Sequence, residues 1–292
     1  MTLSGISSLA VSVSVALIML MIGMLFDPAV FRRQFNRKTL AEFTNLAIAN
    51  YLVIPLIVLG GLWLAPLDPI SKLALLTLAM LPCAPAIPAL AVFCDESPDW
   101  ALFVLIGMSL LNIAMVPLLI SVLRLPWLAG EVAKLHGGES LAITKFMLFT
   151  YGPMALGLSL RYVAPRHLQT CIDVLRRFIS KLLLASFTLY MVANYQDLLN
   201  LGWMDLLALA LLEAVCVAVA YLFVRGATEH RITGILTCTM RNFAMGVAFT
   251  TILFAHTAAP TTMLAYATLM SLSILGAVVL YQRRTAATRV PS

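Results

Sequence analysis

Long apolar runs separated by short polar connections dominate the sequence. Each run has about 18 residues or more, the length that an α-helix needs to cross the hydrocarbon core of a bilayer. The pattern therefore predicts an all-α, polytopic membrane protein with nine transmembrane helices. The longest predicted connections cover residues 124–140 and 161–177. The predicted spans are residues 6–26, 41–64, 71–93, 100–123, 141–160, 178–195, 203–224, 231–255 and 261–281.

Lysines and arginines are divided unevenly between the two sides of this predicted topology. With the N-terminus outside, fourteen of them fall in cytoplasmic segments and four on the opposite side. Cytoplasmic loops of membrane proteins carry an excess of Lys and Arg. We therefore expect an outside N-terminus and a cytoplasmic C-terminus, with residues 282–292 as a cytoplasmic tail. The remaining cation, Arg241, lies inside the eighth predicted span.

The composition argues against a soluble protein. The 292 residues are 62% hydrophobic and 11% charged, whereas a soluble domain is about 45–50% apolar and about 25% charged. A soluble enzyme and a nucleic-acid-binding domain are both disfavoured, and no nucleic acid partner is expected. Residues 1–26 contain no Lys or Arg, so the first apolar run is predicted to be a mature helix and not a signal peptide.

Two of the predicted spans are irregular. The third contains Pro82, Pro85 and Pro88, and proline removes a backbone donor and breaks the helical hydrogen-bond pattern. The eighth carries Arg241 within a cluster of hydroxyl and amide side chains at residues 237–242. These spans run in opposite directions, and a pair of interrupted helices in inverted halves marks the binding site of secondary transporters. We expect both helices to be broken and to cross close together.

Three segments of the chain carry recognisable motifs. The first is MIGMLFDPAVFRR at residues 21–33, which resembles a signature that the bile acid:sodium symporter family has at the end of a helix. Cys83, followed by a polar loop and by Ala101 and Leu102, resembles the family's first crossover helix, and residues 239–242 resemble its second. The resemblance extends over essentially the whole chain.

The resemblance implies an architecture and a mode of transport. It implies a single integral membrane domain over residues 1–292, with an inverted repeat of four helices (1–123) and five helices (141–281). A core domain would contain the two broken, crossing helices, and a separate panel domain would lie beside it. Substrate would bind between the two domains and cross by alternating access. With the short connections, the resemblance also suggests a bacterial inner membrane.

The residues at the family's sodium sites are different in this chain. The resemblance places Ala89 and Leu90 where the family has a Ser-Asn pair, Thr237 where it has a carboxylate, and Arg241 where it has an amide. Sodium ions in transporters are held by oxygen ligands, which two apolar side chains cannot supply. We therefore expect a transporter without conventional sodium sites; a true sodium symporter with displaced ion sites is the alternative.

Arg241 and Glu213 are the charged residues that we expect well inside the membrane. An arginine near mid-bilayer costs at least about 2.5–3.5 kcal/mol, so it normally faces a partner or water. Three roles are open for Arg241: binding an anionic substrate through its planar fork, taking the place of the sodium charge, or forming a static ion pair. Glu213 is its candidate partner, either as a counter-ion or as a group that carries a coupling proton.

Five further residues are candidate substrate ligands. Asn242 is favoured because it adjoins Arg241 and matches the crossover motif. Thr237 and Thr239 either contact the substrate or bond back to the preceding helical turn. Asn112 either contacts the substrate or bonds between helices. Cys83 lies in the first crossover motif, although a buried small hydrophobic residue is its simpler interpretation.

These observations predict a secondary-active transporter of a small organic anion. The sequence contains no recognisable catalytic motif, so we expect neither an enzyme nor a bound metal or other cofactor. The alternatives are an intramembrane enzyme, which needs a nucleophile and a base at membrane depth, and a non-transporting membrane sensor. The expected partners are the organic anion, a proton or sodium ion for coupling, and the lipid bilayer.

Overall fold

The described part of the chain is helical and contains no strand. The computed structural model describes residues 3–94, 96, 98–123, 139–163, 168–193, 195–199, 201–224, 230–254, 257, 259–266, 269–270, 273 and 276. Its helices are α1 (Leu3–Leu25), α2 (Pro28–Gln34), α3 (Arg37–Ile48), α4 (Ile54–Leu64), α5 (Pro69–Met80), α6 (Ile87–Phe93), α7 (Pro98–Leu123), α8 (Glu139–Val163), α9 (Leu168–Ala193), α10 (Tyr195–Leu199), α11 (Trp203–Phe223), α12 (Arg231–Thr239) and α13 (Phe243–Leu253). A π-helical turn, Ala49–Val53, joins α3 to α4, and residues 259–266 are also helical.

Within the residues that the structure describes, three helical stretches are long and apolar enough to cross a membrane. They are Arg37–Leu64, Pro98–Val122 and Trp203–Phe223, and shorter apolar helices cover Ser12–Leu25, Pro69–Met80 and Phe243–Leu253. The all-helical architecture that the apolar pattern predicts is therefore present, and it is compatible with a membrane protein. The exact number of spans stays a prediction.

Two helix boundaries differ from the expectation. The predicted connection over residues 161–177 is too long, because α8 continues to Val163 and α9 already begins at Leu168. Hydropathy detects only the apolar part of a helix, whereas a polar, basic turn can extend the same helix beyond it. The short helix α2 was also not expected; Asp27 caps it by accepting a hydrogen bond from the Ala29 amide at 2.8 Å. Of the predicted connection over residues 124–140, the last two residues already belong to α8; residues 124–138 and the tail 282–292 lie outside the described residues.

Helix α1 packs against both α8 and α9, and we call these three helices the panel. The closest approach is between α1 and α8, at two glycines. A Cβ atom on Gly23 would lie 2.0 Å from the Met154 carbonyl oxygen, and one on Gly157 would lie 2.1 Å from that of Leu20. Small residues allow this kind of close backbone contact between helices.

An arginine joins the same two panel helices at one end. Arg161, at the end of α8, donates from Nη1 to the Met24 carbonyl oxygen at 3.0 Å, and from Nη2 to the Asp27 carboxylate at 2.6 Å. The first bond satisfies a carbonyl in the last turn of α1, where a cation is favourable. The sequence analysis counted Arg161 only as a cytoplasmic cation.

The helices α3 to α7 and α11 to α13 form a second unit, which we call the core. Within it, α5 packs against α13, α6 packs against α12, and α11 lies beside α12, α4 and α5. The panel contacts the core mainly at α13, which both α1 and α8 touch. Phe146 of α8 and Phe249 of α13 meet there edge to face, with ring centroids 5.2 Å apart.

Polar contacts join the core helices near the start of α12. Glu96 accepts hydrogen bonds from the backbone amides of Ile232 at 2.9 Å and Thr233 at 2.6 Å. His230 Nδ1 lies within hydrogen-bond distance of Glu42 Oε2 in α3, at 2.7 Å. These contacts tie the segment after α6 and the middle of α3 to the N-terminus of α12.

Candidate functional site

Both helices that the sequence predicts to be interrupted are broken at the expected positions. In the first, α5 ends at Met80 and α6 begins at Ile87. In the second, α12 ends at Thr239 and α13 begins at Phe243. Cys83, in the first break, has a φ of 68°, a left-handed backbone conformation that is uncommon for residues other than glycine.

The two breaks meet and pair through their backbones. The Ala84 amide donates to the Met240 carbonyl oxygen at 3.1 Å, and the Asn242 amide donates to the Leu81 carbonyl oxygen at 2.8 Å. Together these bonds form an isolated antiparallel bridge between Pro82 and Arg241. Each broken segment therefore satisfies polar backbone groups of the other, which is required wherever irregular backbone is buried away from water. We call residues 81–86 and 240–242 the crossing.

Arg241 extends from the crossing into the core and is fully buried, at 0% exposure. Its Nη1 donates to Asn50 Oδ1 at 3.0 Å, and its Nε and Nη2 each donate to Cys216 Sγ at 3.4 Å. All three guanidinium nitrogens thus have acceptors, and these acceptors are an amide and a sulfur. Among the described residues, no carboxylate forms an ion pair with Arg241.

Asn50 links the crossing to the second predicted span. Its Oδ1 accepts from Arg241, while its Nδ2 donates to the Leu46 carbonyl oxygen at 2.9 Å and to Cys238 Sγ at 3.4 Å. Asn50 lies in the π-helical turn, and such turns often occur at functional sites. It is buried at 0% exposure, with both ends of its amide bonded.

Glu213 and Arg241 do not form an ion pair. The Glu213 carboxylate accepts a hydrogen bond from the Ser273 hydroxyl. Tyr266, which is buried, lies within electrostatic range of both Glu213 and Arg241. Glu213 and Arg241 therefore share Tyr266 as a neighbour, and the hydrogen-bond partner of Glu213 is a hydroxyl.

The three polar neighbours of Arg241 that sequence analysis selected all bond locally. The Thr237 hydroxyl donates to the Thr233 carbonyl oxygen at 2.7 Å, and the Thr239 hydroxyl donates to that of Ile235 at 2.9 Å. Both are bonds to the preceding helical turn, one of the two roles considered for them. Asn242 caps α13, since its Oδ1 accepts from the Met245 amide at 3.1 Å.

Asn112 is not among the hydrogen-bond partners of Arg241; it contacts Tyr51 instead. The Tyr51 hydroxyl donates to the Met108 carbonyl oxygen at 2.7 Å and lies 2.9 Å from Asn112 Oδ1. Asn112 thus bonds between helices, as its simpler interpretation predicts. Arg241, Cys83 and Tyr151 of the panel helix α8 all lie within electrostatic range of the Tyr51 hydroxyl.

Three residues of this site were not selected from the sequence. They are Asn50, Cys216 and Tyr51. Their only signal is a polar or sulfur-containing side chain within an apolar run. The presence of such a side chain in an apolar run does not reveal which neighbouring helix it contacts.

Leu90, at one expected sodium-ligand position, is partly buried in α6. The side chain of Ala89 lies outside the described part of the structure. No protein-family model matches the chain, and no curated protein sequence matches it.

Proposed function

We propose that this protein is a secondary-active transporter of a small organic anion, working by alternating access and related to the bile acid:sodium symporters. The observation that carries the proposal is the crossing, where two broken helices pair by backbone hydrogen bonds around a fully buried arginine. Broken helices at the centre of a membrane domain place polar backbone groups and helix ends where a substrate can use them.

The proposal includes nine spans arranged as a four-plus-five inverted repeat, with the N-terminus outside in a bacterial inner membrane. Two features of the fold support it. The half-helices α5 and α13 pack together, as do α6 and α12, which is the pairing that two crossing helices of opposite direction would give. The panel is a separate bundle that touches the core mainly at α13, so it is suited to move against the core.

Positive charge at the crossing supports an anion as the substrate. The hydrogen-bond partners of Arg241 are an amide and a sulfur, so they do not neutralise its charge. A charge with few neutralising neighbours in a medium of low dielectric acts over a longer distance than in water. Asn242, Thr237, Thr239, Asn112 and Cys83 remain the candidate substrate ligands.

The coupling ion in this proposal is not held at conventional sodium sites. The Thr237 hydroxyl points to the Thr233 carbonyl oxygen at 2.7 Å, so it is engaged in its own helix. Glu213 is the candidate proton carrier, because it combines a carboxyl group inside an apolar helix with a hydroxyl partner, Ser273.

Uptake into proteoliposomes tests this function. The purified protein is reconstituted, and uptake of radiolabelled acetate, benzoate and cholate is followed under a sodium gradient alone, a proton gradient alone, and neither. We expect accumulation of at least one anion that does not require sodium. Protein-free liposomes provide the background. Absence of uptake for all three anions would contradict the proposed substrate class, and strictly sodium-driven uptake would contradict the proposed coupling.

A further inference from the structure

We propose that Arg241 is the resident cation of the crossing. Its guanidinium positions the unwound segment by bonding to Asn50 and Cys216, and it supplies a permanent positive charge to the core, as a bound ion would do in an ion-coupled transporter. The protein then needs no metal cation at this place. The part of the proposal that concerns anions rests on the proposed function, whereas the part that concerns the fold stands without it.

The contacts of Arg241 are those of a positioning residue. It reaches from the unwound segment to the π-helical turn through Asn50 and to α11 through Cys216. Its backbone simultaneously pairs with Pro82 of the first break. The side chain of Arg241 therefore joins the unwound segment to two other segments of the core, and its backbone joins it to the first break.

The burial of Arg241 argues against direct contact with a substrate in this conformation. At 0% exposure, no surface of the side chain can be reached by a water molecule, so a carboxylate group has no room beside it. A substrate anion would feel the charge across the intervening side chains. At low dielectric that attraction remains substantial at several ångströms.

The position of Arg241 along the chain also suits a cation. It follows the last residue of α12, Thr239, by two positions, and the C-terminal end of a helix carries partial negative charge. Unwound carbonyl groups and half-helix C-termini are the places where transporters hold sodium or protons. A covalently attached guanidinium in this place cannot dissociate during a transport cycle.

The first test compares cations as stabilisers. Melting temperatures of the purified protein are measured in sodium, potassium and choline chloride, and we expect no difference among them. Arg241→Ala should melt at least about 4 °C lower. Propylguanidinium at millimolar concentration should restore part of this loss, whereas propylammonium and sodium should not. Equal stability of Arg241→Ala and the native protein, or equal rescue by sodium, would overturn the proposal.

The second test neutralises the charge of the guanidinium by a substitution at its acceptor. Asn50→Asp replaces the acceptor that lies 3.0 Å from Arg241 Nη1 by a carboxylate of almost the same shape, but it loses the Nδ2 bonds to Leu46 and Cys238. We expect it to melt at a higher temperature than Asn50→Leu, which loses the same bonds without gaining a charge that pairs with the guanidinium. Asn50→Asp should also lose at least tenfold in affinity for the anions, measured as the benzoate or cholate concentration that gives half of the full melting shift.

Asn45→Asp is the matched control, since Asn45 lies on the same helix and is exposed; it should change neither measurement. A melting temperature for Asn50→Asp that is no higher than that of Asn50→Leu would show that the guanidinium does not stabilise a carboxylate here and would overturn the resident-cation role. Unchanged anion affinity in a stable Asn50→Asp would overturn the role of the charge. Failure of the proposed function gives a different result. In that case no anion shifts the melting temperature of the native protein, whereas the comparison of cations with Arg241→Ala still tests the role of Arg241 in the fold.

Discussion

At the scale of single residues, Glu96 shows how the two broken helices are held at one end. Its carboxylate accepts from the amides of Ile232 and Thr233, in the first turn of α12. These amides have no partner within the helix, and a negative charge at a helix N-terminus is favourable. The side chain belongs to the segment that follows α6, so it couples the first broken helix to the second.

We predict that Glu96→Gln lowers the stability by about 1–2 kcal/mol, because the amide keeps one acceptor and loses the charge. Thermal unfolding in detergent measures the effect. Asp173→Asn is the control, since Asp173 is exposed and accepts a single hydrogen bond, from Gln169 at 3.3 Å. Equal melting temperatures for the two variants would contradict a capping role for Glu96.

Cys83 carries the second residue-scale prediction, through its φ of 68°. This conformation costs a residue with a Cβ atom about 1–2 kcal/mol relative to glycine. Cys83→Gly should therefore keep the melting temperature close to the native value, since relief of the backbone offsets the lost packing of a side chain that is 1% exposed. Cys83→Val adds a β-branched side chain in the same conformation and should melt clearly lower. The reverse order of the two variants would exclude backbone strain as the cause.

Single residues also mark what could be predicted of the site. Arg241 and Asn242 were selected from the sequence because polar groups are rare in apolar runs. The partners of Arg241 were not selected, since Asn50 is 191 positions away and the pattern of a helix does not reveal which neighbour it faces. Thr237 and Thr239 could not be decided in advance, because a threonine in a helix can either bond back to its own backbone or face a ligand.

At the scale of helices, the two breaks were predictable to different degrees. Pro82, Pro85 and Pro88 supply a physical cause for the first break, because each removes a backbone donor. The second break has no proline, and its prediction depended on the cluster of polar side chains and on the resemblance. The start of α9 at Leu168 was missed because its first turns are too polar to register as part of an apolar run.

The contact between α1 and α8 gives a prediction for the panel. Gly157→Ala would place a Cβ atom 2.1 Å from the Leu20 carbonyl oxygen, so the two helices would have to separate. We expect a loss of about 1–3 kcal/mol, the usual effect of overpacking a well-packed contact. Thermal unfolding of the purified variant measures this.

Gly152→Ala is the matched control on the same helix. The nearest atom to its Cβ would be Leu148 Cδ1 at 3.6 Å, an ordinary van der Waals contact. Because alanine favours helix over glycine by about 1 kcal/mol, this variant should be as stable as the native protein or slightly more so. If both variants behave alike, the close approach of α1 and α8 is not what stabilises the panel.

At the scale of the whole molecule, the predicted topology can be tested directly. An N-terminus outside and a C-terminus inside place fourteen cations on the cytoplasmic side. In a background with Cys171→Ser, Ser4→Cys should react with a membrane-impermeant maleimide in intact cells, whereas Thr288→Cys should react only after lysis. Labelling of Thr288→Cys in intact cells would reverse the orientation and, with it, the side on which Glu96 and Arg161 lie.

Alternating access requires the panel and the core to move against each other, and the contact between Phe146 and Phe249 offers a way to stop that motion. Their ring centroids are 5.2 Å apart, and one ring belongs to α8 and the other to α13. Of the five native cysteines, only Cys171 is exposed and is replaced by serine; the other four are buried, as Phe146 and Phe249 are, so the Cys171→Ser protein treated in the same way is the reference for reaction at native thiols. We predict that a short bis-methanethiosulfonate reagent, applied to Phe146→Cys/Phe249→Cys in this background, abolishes anion uptake in proteoliposomes, whereas the reference protein keeps it.

Cleavage of the cross-link by reduction should restore uptake, because the substitutions remove only the ring contacts of Phe249 with Phe146 and Phe254, while the link removes the relative motion. A pair within the panel, Met24→Cys/Leu158→Cys, is the control: these residues lie beside the close contacts of Gly157 and Gly23, so a link between them joins helices that would move together. If uptake persists after α8 and α13 are linked, transport does not need the panel to move relative to the core. The crossing would then have to open by rearranging its own two breaks, against the backbone bonds that join Leu81 to Asn242 and Ala84 to Met240.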